Sequence, residues 1–480
     1  MTERPDKGAN QLRKNSLGLI AVTFMVVSAA APLTGVAGAV PIAFLIGNGA
    51  GMPATFLFMT LVMLAFSVGY VAMSRHVSNA GAFYAYAARG LGGRMGGAVS
   101  MMALFSYNAM QFGLLGLLGG VSAGVFGSMG INLPWWAYSL IATALVAVLG
   151  YRQVDLSAKV MILLVGLEYL IVLIVDFAIL GNGGPQGLSF DFFNYEAITS
   201  GSLSASILFC LGSFIGFEAT TIYAEEARDP EKTIPRATYI SVLMIGLFFV
   251  FTTWLMVVAV GTDKLQETVG GLADPTSYFF ELAGQYVGGT VAMIAGLLLV
   301  SSLFAALSAF HNYIARYSYV AGRERLLPSA FGNTHAEHQS PHVGSVVQTI
   351  MSVIAIAVFA LAGLDPILNM FTWISQIGVL GVLGMMSITA LSVVAFFRKT
   401  QTNVGILASL ILPVLSGAIM VVLFVYVFLN FGDLTGTTGG ILGIVLPCLI
   451  PLGGLIGYMM ASRLRSGDPA AFARMGQNQR

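Results

Sequence analysis

Residues Phe209 to Ala237 read FCLGSFIGFEATTIYAEEARDPEKTIPRA, and this stretch decides the fold class. It begins apolar, carries Gly212 and Gly216 four residues apart, and then sets Glu218 among apolar neighbours. Seven residues later it becomes densely charged, with Glu225, Glu226, Arg228, Asp229, Glu231 and Lys232. Pro230 and Pro235 are expected to stop any helix there. A glycine lowers helix stability by about 1 kcal/mol relative to Ala. An ionisable Glu at mid-membrane costs about 2.5–3.5 kcal/mol on insertion scales. The pattern predicts a membrane helix with a weak point at mid-depth, ending in a short cytoplasmic loop.

Composition extends this reading to the whole chain. Of its 480 residues 57% are hydrophobic and 9% charged, whereas soluble proteins carry about 25% charged residues. The sequence therefore predicts an all-α polytopic membrane protein with one membrane domain. Runs long enough to span, about 20 residues each, fall near 17–46, 53–74, 96–126, 134–150, 158–180, 203–224, 237–261, 288–316, 343–363, 367–397, 404–431 and 440–462. That is twelve expected transmembrane helices, between a segment at 1–16 and a tail at 463–480. A cleaved leader has an apolar region of about 7–15 residues. The first run here is longer, so it is expected to be a retained helix.

Charge sets the orientation. With both ends cytoplasmic, Lys264 alone of the 22 Lys and Arg falls outside, as the positive-inside rule requires. A multi-pass protein of the inner (plasma) membrane is expected. The net charge of +1 gives no reason to expect nucleic acid. Cys210 and Cys448 lie in apolar runs, so neither a disulfide nor a metal site is expected. His335, His338 and His342 read as solvated loop residues. No Walker loop, dinucleotide fingerprint or nucleophile triad is present. Enzymatic chemistry, ATP drive and a cofactor are therefore not expected.

The first apolar run has a weak point of its own. Ala30, Ala31, Pro32, Leu33, Thr34, Gly35, Val36, Ala37, Gly38, Ala39, Val40 and Pro41 place two prolines around two glycines. Pro removes a backbone donor and clashes with the preceding turn, and freed backbone groups in a membrane need partners inside the protein or a watery cavity. This is either a kink or a broken helix facing a ligand. Interrupted helices at corresponding places in two halves are a pointer to a transporter binding site. The expected architecture is thus a 5+5 inverted repeat, near 17–180 and 203–397. Each half opens with a broken helix, the first and the sixth, and helices eleven and twelve follow at 404–462. These two are expected to scaffold the domain or to join a second copy in a homodimer.

Other intramembrane polar residues are candidates. Glu168 lies near mid-depth in the fifth helix and Asp176 further out. Tyr107, Asn108 and Gln111 lie in the third helix; Asn108 and Gln111 share a face and either glue helices or line a substrate site. Ser301 and Ser302 lie mid-span in the eighth helix. Trp373, Ser375 and Gln376 sit at mid-depth in the tenth.

Phe214-Ile215-Gly216-Phe217-Glu218, Glu225-Glu226 and Asp229-Pro230-Glu231-Lys232-Thr233-Ile234-Pro235-Arg236 resemble the sixth-helix signature of the amino acid–polyamine–organocation transporters. Arg75 to Gly92 and Arg316 to Pro328 resemble that family's cytoplasmic motifs. The first-helix break, Thr34-Gly35-Val36-Ala37-Gly38, departs from the Gly-Ser-Gly of many members. The resemblance implies a leucine-transporter-type fold and a secondary active permease for an amino acid or amine. Amides near Thr34 to Gly38 and at Gly212 and Ser213 would hold a carboxylate. Carbonyls of Ala30, Ala31, Phe209 and Leu211 would accept an ammonium, with Phe214 or Phe217 shielding the site. Gly212 stands where some relatives carry a large aromatic, leaving room. Glu168 stands where cationic amino acid members tend to carry a lysine, beside Ser301 and Ser302 of the eighth helix. Glu168, Glu218 and the serines are therefore the expected ion-coupling groups. The expected ion is H⁺, with Na⁺ symport or exchange as alternatives. A channel or a non-transporting scaffold subunit is the alternative of another class.

Overall fold

The computed structural model describes residues 17–77, 81–152, 158–222, 227–400, 402–436 and 440–477. Expectations for the 1–16 segment, the turn at Ser78-Asn79-Ala80, Glu225 and Glu226, and the last three residues of the tail lie outside the described residues. Among those described the chain is helical, and the one strand-like pairing is an isolated bridge between Leu17 and Ala227.

The first half contains α1 (Leu19–Ala30), α2 (Val40–Ile46), α3 (Met52–Ser74), α4 (Phe83–Leu91), α5 (Gly93–Ser128), α6 (Trp135–Tyr151) and α7 (Ala158–Asn182). After α8 (Tyr195–Thr199) come α9 (Leu203–Gly212), α10 (Ala219–Ile222) and α11 (Pro230–Val260). Two short helices, α12 (Leu265–Gly270) and α13 (Tyr278–Tyr286), lead to α14 (Gly289–Arg323) and α15 (His342–Leu361). A wide-turn segment at Pro366–Ser375 runs into α16 (Gln376–Lys399). The chain closes with α17 (Leu412–Leu429), α18 (Ile441–Gly467) and α19 (Pro469–Arg474).

Nine of the described helices are long and apolar enough to cross a membrane, which makes this a multi-pass membrane protein. The remaining apolar helices are shorter: Leu19–Ser28, Thr34–Ile46, Trp135–Tyr151 and Leu203–Gly212. Three of these four flank the two expected breaks. Large apolar side chains stand exposed on the outer helices, for example Leu361 on α15, Leu429 on α17 and Ile441 on α18. In water such faces would be sticky patches; in a bilayer they meet lipid.

One expectation for the charged stretch is overturned. Pro230 does not stop a helix but starts one, in the first turn of α11, and Pro235 lies inside that same helix. A proline in the first turn costs little because the amide it lacks would have had no intrahelical partner.

Candidate functional site

Both weak points are real interruptions of the helical path. α1 ends at Ala30, and Ala31 takes a left-handed conformation with φ of 45°. Pro32 accounts for the end of α1, since a residue before proline is disfavoured in the right-handed helical region. The chain then continues through a π-helical turn at Thr34–Ala39 into α2. The second interruption follows α9. Residues 213–218 are turns, with Gly216 at φ of 111°, before α10 begins at Ala219. A positive φ of this size suits glycine and strains any residue bearing a Cβ.

The two breaks wall one cavity of about 60 Å³. From the first break come Ala30, Ala31, Thr34 and Gly35, and from the second Phe209, Gly212, Ser213 and Ile215. α5 contributes Met110 and Leu114, and α14 contributes Ala306 and Phe310. Phe371, Ser375, Gln376 and Val379 close the remaining side. Among the described residues no charged one lines it.

The expected substrate residues thus divide. Ala30, Ala31, Thr34, Gly35, Phe209, Gly212 and Ser213 stand in the wall, whereas Val36, Ala37, Gly38, Asn108, Gln111, Leu211, Phe214 and Phe217 do not. A Cβ on Gly38 would come within 2.8 Å of the Leu117 side chain, so Gly38 permits packing against α5 rather than approach of a ligand. A Cβ on Gly35 would lie 2.3 Å from the Phe249 ring, which is itself stacked on Phe56 at 4.8 Å. By contrast, a Cβ on Gly212 would meet only Val379, at 3.4 Å. Phe217 packs between Phe66 and Tyr70 of α3. The Asn108 amide donates to its own helix, at Leu104 O (2.7 Å).

The polar side chains in the wall are mostly spoken for. Thr34 Oγ1 donates to Ser302 Oγ at 3.2 Å. Ser213 Oγ donates to Phe209 O and Ser375 Oγ to Phe371 O. Gln376 is the exception: its Oε1 is buried with no hydrogen-bond partner among the described residues.

Glu168 on α7 reaches the first break from behind the cavity. Its Oε2 accepts the Leu33 amide at 3.2 Å, and Ser302, which accepts from Thr34, lies beside its carboxyl. A row of polar groups therefore runs from Glu168 past Ser302 to Thr34 of the cavity wall. Ser301 is not part of it; its hydroxyl turns back to Leu298 O. Glu218 serves the second break. Its Oε2 accepts the Gly216 amide at 2.8 Å and its Oε1 accepts the Tyr107 hydroxyl at 3.1 Å. Both carboxylates thus take up backbone donors that the interruptions set free.

Sequence reasoning passed over Met110, Leu114, Ile215, Ala306, Phe310, Phe371 and Val379, which form much of the wall. It looked for polar faces, and an apolar residue in an apolar helix gives no such signal. Among the described residues no group of three His, Cys, Asp or Glu is placed to hold a metal ion. The loop histidines are not simply solvated: His335, His338 and His342 gather around the Tyr151 ring at 5.2–6.3 Å.

Two interrupted helices around one cavity describe a transporter more readily than an enzyme, and comparison with known proteins decides the family. The model of the family described as amino acid permease matches residues 17–452. The chain belongs to the amino acid permease family. Among this permease's relatives is the low-affinity putrescine importer PlaP of Escherichia coli (strain K12). It is 23% identical over 313 residues, which is 64% of this chain and 67% of PlaP. The histidine permease HisP of Lactococcus lactis is 25% identical over 47% of this chain and 49% of its own. The branched-chain amino acid permease BcaP of Bacillus subtilis is 25% identical over 33% of each. The family and these relatives are permeases of the amino acid–polyamine–organocation superfamily, and the chain is a transporter rather than an enzyme.

Proposed function

We propose that this permease is a secondary active importer of an amino acid or organic amine that works by alternating access and is driven by proton entry. The observation that carries the reading is one cavity walled by both helix breaks, with Glu168 bonded to the back of the first break. Substrate would bind in the cavity, its ammonium at the carbonyls that end α1 and α9, where helix ends are negative. Its carboxylate would meet amides near Thr34 and Ser213. PlaP is named for putrescine and HisP for histidine, both amine-bearing molecules, which fits this class.

The coupling step runs through Thr34. Thr34 lines the cavity and its hydroxyl bonds Ser302, which lies beside the Glu168 carboxyl. Substrate that draws on Thr34 therefore alters the bonds available to Glu168, and a coupling of this kind acts in both directions. A buried carboxyl is cheap to hold when protonated and hydrogen-bonded, whereas its ionised form requires a cation. Glu218, held by Gly216 and Tyr107, is the second group proposed to respond to protons. Each charge moved inward at 100 mV supplies about 2.3 kcal/mol, about a fifty-fold accumulation.

The architecture proposed with this function has twelve spans. The two broken helices and the short α6 complete the nine long ones, the first ten spans forming a 5+5 inverted repeat of the leucine-transporter type. The protein would sit in the inner membrane with both termini cytoplasmic. The test is uptake of labelled amino acids and amines into proteoliposomes under an imposed inward proton gradient with sodium absent. Concentrative uptake, lost in Glu168→Gln, is expected. Uptake restored only by an inward sodium gradient would overturn the proton assignment, and gradient-independent, non-saturable flux would point to a channel. Normal concentrative uptake by Glu168→Gln would remove Glu168 from the coupling step.

A further inference from the structure

We propose that the cavity takes a small neutral amino acid whose side chain carries one hydrogen-bond donor, serine or threonine in chemistry, and that Gln376 reads that donor. This rests on the transporter reading above and names the substrate class of the same cavity.

The wall argues first against a second charge. Among the described residues, no charged one lines the cavity. Glu168 and Glu218 stand outside it, and each is engaged with backbone at a helix break. A diamine or a basic amino acid would bring a second ammonium against Met110, Leu114, Ile215, Phe310 and Val379. A buried charge without a partner costs several kcal/mol, and no carboxylate is there to offset it. Size points the same way. A cavity of about 60 Å³ has room for about two waters, which suits a short side chain.

The pattern of hydrogen bonds then selects among neutral side chains. Three hydroxyl-bearing residues line the cavity, and each hydroxyl already donates, Thr34 to Ser302, Ser213 to Phe209 O and Ser375 to Phe371 O. Gln376 Nε2 has a long contact to Ser375 Oγ at 3.4 Å, and its Oε1 has no partner among the described residues although the residue is 3% exposed. A buried carbonyl oxygen left unpaired is unfavourable. Gln376 lines the cavity, so a ligand donor that draws its amide inward recovers that energy, and an aliphatic side chain does not. A hydroxyl meets this need without the second charge that the apolar wall rejects. The ammonium and carboxylate shared by all amino acids are left to the two helix breaks.

Competition binding on the purified full-length protein tests this with matched pairs. Serine and alanine differ by one hydroxyl, as do threonine and 2-aminobutyrate; putrescine and arginine carry the second charge. In the wild type the hydroxylated member of each pair is expected to bind about tenfold tighter, with both cations weaker than any of the four. Gln376→Leu is expected to bring both ratios close to one. Gln376→Glu, which keeps a polar side chain of the same length, is expected to move the preference toward putrescine. Ratios that persist in Gln376→Leu, or a wild type that prefers putrescine or arginine, would overturn the inference while leaving a transporter. If the folded wild type binds no member of the panel, the transporter site itself fails.

Discussion

Glu218 takes the donor that its own helix gives up: its carboxyl holds the Gly216 amide two residues back and the Tyr107 hydroxyl of α5. Replacement by Gln keeps the length and one acceptor oxygen but removes the titrating group. Glu218→Gln is therefore expected to fold and to flatten the pH dependence of transport, read as initial uptake rate from pH 5 to 8. A variant with the full wild-type pH profile would exclude the role. This residue was legible in the sequence because an ionisable group among apolar neighbours is costly wherever it is buried. Gln376 was visible as a mid-depth polar residue, but not as the one that lines the cavity. Asn108 and Gln111 gave the same kind of signal and lie off the cavity. All three carry an amide oxygen without a partner among the described residues; what separates them is which face the helix packing turns to the cavity, and that is not a property of any one residue.

At the level of elements, the helix breaks follow from local chemistry, but their supports do not. Pro32 and Gly216 explain why the path is interrupted; nothing near them in sequence announces that α7 and α14 brace the first break. The tail is a second such case. α19 lies against α5, where a Cβ on Gly93 would run into the Phe472 ring at 2.8 Å. Asp468 pairs with Arg325 at 2.5 Å just beyond α14. Next to it Glu324 accepts from the Tyr84 hydroxyl of α4 and from the Gly476 amide at 3.5 Å. Burial pushes the Glu324 carboxyl up from its ordinary 4.5 to about 7, partly offset by the Gly476 bond. A carboxyl raised in the docked state binds more protons there than in the undocked state. Docking is thus fully favoured below about 4.5 and weakens as pH rises through about 7. Hydrogen-exchange protection of residues 468–477 is expected to fall between pH 6 and 8 in the wild type and to lose that dependence in Glu324→Gln. Equal protection at both pH values in the wild type would show that Glu324 does not govern the tail.

For the whole molecule, the proposed topology puts Lys264 outside and Arg474 inside. With Cys210 and Cys448 replaced by Ala, a single cysteine at Lys264 is expected to react with an impermeant maleimide in intact cells. One at Arg474 is expected to react only after permeabilisation, and the reverse pattern would invert the topology. The sequence by itself determined that this is a multi-pass helical membrane protein and where two of its helices break. Both follow from quantities that add up along the chain, namely apolar length against bilayer thickness and the cost of Pro, Gly and a buried Glu in a helix. The tertiary structure alone decided which faces meet. Leu33 and Glu168 are 135 residues apart, and Thr34 and Ser302 are 268. Ser302 takes the Thr34 hydroxyl while its neighbour Ser301 turns to its own helix. Successive residues of an α-helix point about 100° apart, so one position decides whether a side chain enters a site or leaves it. That rotation is fixed by how several helices pack together, which hydropathy along a single helix does not encode.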